Sequence, residues 1–388
     1  MIALLLGCAT IGVPFDAVGD EAPVEGLPGV DTPDDPHACS KIFDPDALSD
    51  FAVEIDEAEW ADIEGEYAAY DGTKRYHPLT GFRWGDEEVS GASIRLKGNE
   101  GYSWGVPKMQ FVVSFVEIDP DQRFHGTRHV AFDAPWYETT LLRNRLASQV
   151  LHDIGLPAPC ANNGTLTVNG AFYGLYATME QLDHEYLERN FGEEAADGNL
   201  YKYGWDLTNN RRADTSVAEA FWATTDPAEL GQLGDVGQWV DEWAAEALLP
   251  DLDGYWCCGH NFYTYEHPTQ GLLFLAWDLD ATFDWGGTAR ADPFDYASAY
   301  VPHEAAVLAD PVFRARFVST LSTYAEAVDT DDFDANVLAW AAQIDEAART
   351  DTRASYTYDE HATAVDGLHD FLAHRRHYLR EWVADQGG

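Results

Sequence analysis

The order of its elements predicts an α+β fold in two lobes for this sequence. Short alternating apolar runs bounded by turn residues fill the first half, a second hairpin follows, and the last quarter carries apolar residues at helical spacing. Hydrophobic residues are 46% of the 388 and aromatic ones 13%, which excludes a disordered chain. At about 150 residues per domain there is room for two or three units or one elaborated one, and a core of that size needs no staples.

Residues 1–9 are an apolar run ending in Leu5-Leu6-Gly7-Cys8. Small and aliphatic residues directly before a cysteine resemble the lipobox of bacterial lipoproteins, with Cys8 as the lipidated residue and residues 1–8 as the signal. No Lys or Arg precedes the run and the run is short, so a hydrophobic terminus with an incidental cysteine is the competing reading. Residues 9–38 are rich in Gly, Pro, Asp and Glu, a composition that cannot bury enough apolar area to order itself and suits a tether. No other stretch of about 18 apolar residues follows, so no membrane-spanning helix is expected. The expected location is outside the cytoplasm, as a cell-envelope lipoprotein or a secreted protein held to a membrane only through a lipid.

From Cys39 to residue 388 the chain reads as one globular domain. Phe51–Ile55 alternates as a strand, and Glu57–Ala69 has helical spacing. Ser93–Lys97 and Met109–Ile118 read as strands around the Gly98–Gly101 turn. Thr139–Ile154 reads as a helix with apolar Leu142, Leu146, Val150 and Ile154, stopped by Gly155 and Pro157. Asn169-Gly170 is a hairpin turn joining strands 164–168 and 172–179. A mixed region runs from 183 to 249, and 261–265 with 272–277 form the second hairpin. Three amphipathic helices close the chain at 313–328, 333–349 and 363–385.

With Cys8 set aside, Cys39, Cys160, Cys257 and Cys258 remain, an even number that an exported protein can pair. Adjacent Cys257 and Cys258 can bridge each other only through a strained eight-membered ring, so two long-range links stay open beside that pairing. Zinc is the weaker alternative, since no C-x-x-C spacing exists and His260 completes no familiar ligand set.

Charge narrows the partners. With 23 Lys and Arg against 68 Asp and Glu, the net charge is −45. Nucleic acid and anionic membrane surfaces are excluded as partners, while cations and divalent metals are favoured. The five lysines are Lys41, Lys74, Lys97, Lys108 and Lys202, and from Ala213 to Ala289 fourteen acids occur without one Lys or Arg. Cations from residues 95–212 facing acids from the later stretch would hold a polyphosphate through a divalent metal. Simple neutralisation of an acidic body is the plainer alternative. Within 251–285, Asp253, Asn261 and Asp278 are a loop acid, an amide at a strand start and an acid after the next strand. One such carboxylate can accept the proton of an attacking hydroxyl while the amide and the other acid hold Mg²⁺.

Three blocks resemble the CotH-type spore-coat kinase family, a distant relative of protein kinases. The first is Arg95-Leu-Lys-Gly-Asn99 with Lys108. The second runs from Leu142-Arg-Asn144 through Pro157-Ala-Pro159 and Phe172-Tyr-Gly-Leu-Tyr176 to Glu180, Asp183 and Lys202. The third is Asp253, His260-Asn-Phe-Tyr263, Trp277-Asp-Leu-Asp280 and Phe283. Together they span roughly residues 90–290. The resemblance implies an atypical two-lobed protein-kinase-like fold with a helical C-terminal part, and ATP with Mg²⁺ or Mn²⁺ as cofactors. It implies Lys108 as the lysine on the α- and β-phosphates, Arg95, Lys97 and Lys202 as further phosphate contacts, and Glu180 at the adenine end of the hinge. It implies Asp253 as the catalytic-loop aspartate, and Asn261 and Asp278 as metal ligands. Asp280 would be either a second metal ligand or, by slight preference, a cap on the following turn.

Two features depart from the family. Trp256-Cys-Cys258 stands beside Asp253, and the 139–154 helix offers Lys108 no acid except Asp153 near its C-terminal end. His152, His184 and His260 read as structural histidines. The activity expected is transfer of the γ-phosphoryl of ATP to a hydroxyl of a surface or envelope protein. The alternative is a non-catalytic surface lipoprotein using the scaffold for structural or adhesive binding, with Ca²⁺ in acidic loops such as 278–295.

Overall fold

The computed structural model describes residues 38–99, 103–284, 289–294, 300–328 and 331–386. Cys8, the tether and parts of the Gly98–Gly101 turn and the 278–295 loop lie outside them.

The first lobe is built from β1 (Ser49–Glu54), α1 (Glu57–Ala69), β2 (His77–Pro78), β3 (Gly81–Trp84), β4 (Glu87–Val89), β5 (Ser93–Leu96), β6 (Phe111–Ser114), β7 (His129–Asp133), α2 (Arg143–Asp153), β8 (Ala161–Val168) and β9 (Ala171–Glu180). Among the described residues these nine strands join in the order β2-β5-β6-β7-β9-β8-β1-β3-β4. The β1–β8 pair is parallel and the others antiparallel. α1 forms where the sequence predicts it, because the Asp56 carboxylate accepts from the Ala58 amide at its N-terminus and Tyr70 ends it in a left-handed conformation. At the tip of the β8–β9 hairpin, Asn169 and Gly170 both have positive φ. The Asn169 side chain closes two hydrogen bonds with the Ile55 backbone, which sews the tip to the end of β1.

The second lobe follows as α3 (His184–Phe191), β10 (Asn199–Lys202), β11 (Asp206–Leu207), α4 (Ser216–Ala223), α5 (Pro227–Leu230), α6 (Val236–Leu248), α7 (Tyr255–Cys258), β12 (Phe262–His267) and β13 (Gly271–Ala276). Its strands pair antiparallel in the order β11-β10-β12-β13. Helices α8 (Pro302–Val307), α9 (Pro311–Ala327), α10 (Asp331–Thr350) and α11 (Tyr358–Asp385) complete it. Trp239 and Trp243 on α6 are fully buried against Phe274 of β13; each such side chain stabilises the fold by roughly 1.5–3 kcal/mol. The buried Arg375 of α11 donates to the carbonyls of Ala247 and Leu248, closing the C-terminal end of α6, and to those of Ala289 and Ala291.

The lobes share a second core. Val112, Ala131 and Met179 from the large sheet pack with Leu200, Tyr265, Leu273, Leu275 and Trp277 from the small one. That shared core ties the central strands of the large sheet to the small sheet, and Val112 and Trp277 from it also line a cleft.

Several expectations need correction. The 109–118 strand is ordered as a strand only over Phe111–Ser114, and the helix expected at 139–154 begins at Arg143. The edge strands β2 and β4, their neighbour β3 and the central β7 carry no clean alternation in the sequence. One disulfide joins Cys39 to Cys160, while Cys257 and Cys258 stay reduced. The second long-range link is therefore absent from the described residues.

Candidate active site

The cleft between the lobes has a volume of about 700 Å³. From the first lobe come Arg95 and Lys97, on the face of β5 opposite the buried Ile94 and Leu96, together with Gln110, Asp133, Tyr137 and Gln181. From the second come Lys202, Tyr203, Asp253, His260, Asn261, Asp278 and Asp280.

Three carboxylates dominate it. Asp133 ends β7, Asp278 follows β13, and Asp280 lies in the short turn Leu279–Ala281; one oxygen of each lies within 4.8 Å of the others. Asp133 Oδ2, Asp278 Oδ1 and Asp280 Oδ1 are buried and make no hydrogen bond among the described residues. Asp133 Oδ1 lies 2.9 Å from Lys97 Nζ, which stands 3.6 Å from Asp278 Oδ1, an ion-pair distance rather than a hydrogen bond. Tyr137 donates its hydroxyl to Asp280 Oδ2 at 2.9 Å.

Burial pushes Asp133 up to about 6, with Lys97 opposing the shift and Asp278 adding to it. Burial and the charges of Asp278 and Asp133 hold Asp280 well above the usual carboxylate range. Burial works against the charge of Lys97, but Asp133 and Asp278 outweigh it and keep the ammonium above its ordinary value. Three acids facing one close lysine leave an excess of negative charge, and the orphaned oxygens are the hard ligands a divalent cation takes. The residues present therefore fit such an ion.

Beside the trio, Asp253 Oδ2 accepts from Asn261 Nδ2 at 2.9 Å, and Asp253 Oδ1 lies 3.2 Å from His260 Nδ1. Below it, Asp251 Oδ1 accepts the Asp253 amide. Tyr203, Asn261, Asp278 and Phe283 all have φ between 39° and 60°. Side chains rarely adopt that conformation, and strained residues of this kind gather where a fold holds groups for function.

The structure brings Arg95, Lys97, Lys202, Asp253, Asn261, Asp278 and Asp280 into this one cleft. It does not bring Lys108 or Glu180 there. Alternation from Gln110 and Val112 would carry Lys108 into the cleft, but residues 104–108 bend instead of continuing β6. Lys108 Nζ is buried, 2.5 Å from Asp351 Oδ2 and 2.8 Å from the Leu175 carbonyl. Burial outweighs Asp351 and lowers its affinity for a proton. The acid missing from α2 is thus found far along the chain, between α10 and α11. Glu180 accepts from Arg189 at 2.6 Å and from the Cys160 amide at 3.0 Å, and the next residue, Gln181, faces the cleft in its place. Asp280 caps no turn; it joins the trio. His260 lines the cleft rather than the core.

Asp133 escapes a reading of the sequence. Its signal is an acid closing the apolar run Val130-Ala-Phe132, a place where a buried carboxylate is costly unless something compensates it.

Fold and cleft define a two-lobed α+β protein that sets Arg95, Lys97, Lys202 and Asp253 around a carboxylate trio, an arrangement that suits phosphotransfer. The chain belongs to the CotH kinase protein family, whose pattern matches residues 94–226 and 223–379, and that membership implies phosphotransfer. Among its relatives, inner spore coat protein H of Bacillus subtilis (strain 168) is 21% identical over 314 residues, 71% of this chain and 83% of that protein. Invasin CotH3 of Rhizopus delemar is 24% identical over 207 residues, 45% of this chain and 34% of the invasin. Two solved structures overlap it loosely. The Helicobacter pylori proinflammatory kinase CtkA has a TM-score of 0.37 and 8% identity over 72% of this chain and 93% of its own. HipA of Shewanella oneidensis MR-1, in a complex with HipB and operator DNA, has a TM-score of 0.33 and 14% identity over 66% and 59%. Overlaps that weak carry no argument about the site.

Proposed function

We propose that the protein is an exported atypical protein kinase that transfers the γ-phosphoryl of ATP to a hydroxyl of a surface or envelope protein. The trio of Asp133, Asp278 and Asp280 facing Lys97 carries this reading, because its buried oxygens are left without hydrogen bonds. Those three would hold Mg²⁺ or Mn²⁺, with the Asn261 carbonyl oxygen beside them. When bound, the ion neutralises polyphosphate charge as a Lewis acid.

Lys97, Arg95 and Lys202 add positive charge along the same wall. Asp253, held beside the trio, orients the acceptor hydroxyl and takes its proton as the new oxygen–phosphorus bond forms and the bond to the bridging oxygen breaks, releasing ADP. Export is supported by the Cys39–Cys160 disulfide and by similarity to a spore-coat protein, with Cys8 as the point of lipid attachment.

The test is label transfer from γ-labelled ATP to the protein itself and to a generic acceptor, in the wild type and in Asp253→Asn and Asp278→Ala. Transfer by the wild type alone is expected; equal label in all three overturns the reading. A thermal shift with Ca²⁺ but none with ATP and Mg²⁺ would favour a non-catalytic cation-binding scaffold.

A further inference from the structure

Asp253 is held at both oxygens by consecutive residues. Its side chain is 35% exposed, enough room to rotate, yet His260 Nδ1 stands 3.2 Å from Oδ1 and Asn261 Nδ2 donates to Oδ2 at 2.9 Å. A hydrogen on Nδ1 would let the imidazole donate toward Oδ1. The imidazole is itself half in solvent and would swing without support. That support is Tyr203, whose ring stacks on it with centroids 5.1 Å apart and planes at 22°.

Tyr203 occupies an unusual place. It and Gly204, with φ of 57° and 73°, form the tight turn between β10 and β11, closed by Trp205 N–H to the Lys202 carbonyl. Turns of this hand favour Asn, Asp or Gly at the position Tyr203 holds. The turn is pinned from two sides, by Trp222 Nε1 donating to the Gly204 carbonyl at 3.0 Å and by Trp205 packed 5.5 Å from the Tyr203 ring. An aromatic residue kept at a left-handed turn position, and braced there, serves the ring it presents rather than the turn.

We infer that His260 and Tyr203 are positioning residues for Asp253. Tyr203 fixes the plane of His260, and His260 with Asn261 fixes the carboxylate toward the acceptor hydroxyl. This role rests on the phosphotransfer reading. Neither residue belongs to the carboxylate trio, but Lys202 Nζ lies 5.0 Å from the centroid of the Tyr203 ring, so His260 is the member of the pair on which turnover and nucleotide binding separate.

The experiment is label transfer by the full chain under saturating and limiting ATP. For His260→Ala, kcat should fall roughly ten- to a hundred-fold, the loss expected from a misplaced catalytic group, while KM for ATP stays within about two-fold. His260→Asn, which keeps a side-chain N–H close to the position of Nδ1, should recover part of the loss. Tyr203→Leu should lose kcat like His260→Ala, Tyr203→Phe should retain more, and the double variant His260→Ala/Tyr203→Leu should be no worse than either single one, because the two act in series. An unchanged kcat in Tyr203→Leu, losses that multiply in the double variant, or a rise in KM for ATP in His260→Ala that accounts for its effect each overturn the inference. A crystal structure of His260→Ala reads positioning without turnover. The Asp253 carboxylate is expected to leave Asn261 Nδ2, and its staying within hydrogen-bond distance overturns the inference. Should the wild type transfer no label, the phosphotransfer reading fails, and that crystal structure still decides whether His260 holds Asp253.

Discussion

Lys97 and Lys108 stand eleven residues apart, the first partly and the second fully buried, each within 3 Å of an aspartate, and they do opposite things. Around Lys108 every polar atom is answered. Asp351 Oδ2 takes the ammonium and the Leu175 amide, its Oδ1 takes the Arg353 amide, and the Leu175 carbonyl takes a second ammonium hydrogen. Gly174 has no side chain because a Cβ there would stand 2.9 Å from Asp351 Oδ2 and 3.2 Å from Lys108 Cε. Around Lys97 the balance fails, with three acids and three oxygens that lack hydrogen bonds. A buried charge whose partners close on it belongs to the fold. One whose partners are left over belongs to something that binds.

The sharpest way to break that contrast is Lys108→Met. Removing one partner of a buried pair strands the other, so the loss should be about 3–5 kcal/mol of stability by denaturant unfolding, with the folded fraction still responding to ATP and Mg²⁺. A stable Lys108→Met protein that has lost its ATP response would return Lys108 to the phosphates. Next comes Lys97→Met. Label transfer should fall roughly 10²–10³-fold, the usual cost of removing one group that stabilises developing charge, with a smaller fall in melting temperature than Lys108→Met gives.

Asp278→Asn should leave the metal-free protein as stable as the wild type or more so, since it relieves repulsion, and should abolish the melting shift caused by Mg²⁺ or Mn²⁺. A retained shift would move the ion elsewhere. The smallest effect is on pH. Asp133 is raised to about 6 and Asp280 is raised too, so their contribution to metal-free stability is present below the unfolded carboxylate values and lost as pH rises through about 6. Calorimetry in a chelator should show the melting temperature falling from about pH 4 through about pH 6, and the Mg²⁺ shift growing as pH rises through about 6. Asp133→Asn should flatten both.

How much of this was legible follows from what each residue answers to. α1 and the β8–β9 hairpin are specified locally, by Asp56 as a cap and by Asn169-Gly170 as a turn, and both form where the sequence places them. Asp253, Asn261, Asp278 and Asp280 were readable because they flank one hairpin, which gathers them whatever the rest of the chain does. Lys97 could be aimed by alternation along β5, whereas Lys108 could not, since the bend before β6 breaks the period that would have carried it. Its partner Asp351 is 243 residues away, a pairing that only tertiary packing creates. Asp133 was hidden for the same reason: β7 is a central strand with apolar residues on both faces, so no alternation announced it.

Arg375 has a practical bearing on how this chain can be cut. The three blocks that carry the family resemblance end near residue 290, which invites expression of residues 90–290 alone, although the family match runs on to residue 379. The peptide carbonyls at the end of α6, immediately before the loop that bears Asp253, take their hydrogens from a guanidinium more than a hundred residues downstream. A fragment lacking α11 would leave those carbonyls bare at the root of the loop that bears Asp253. The shortest useful piece of this protein therefore runs almost to its C-terminus.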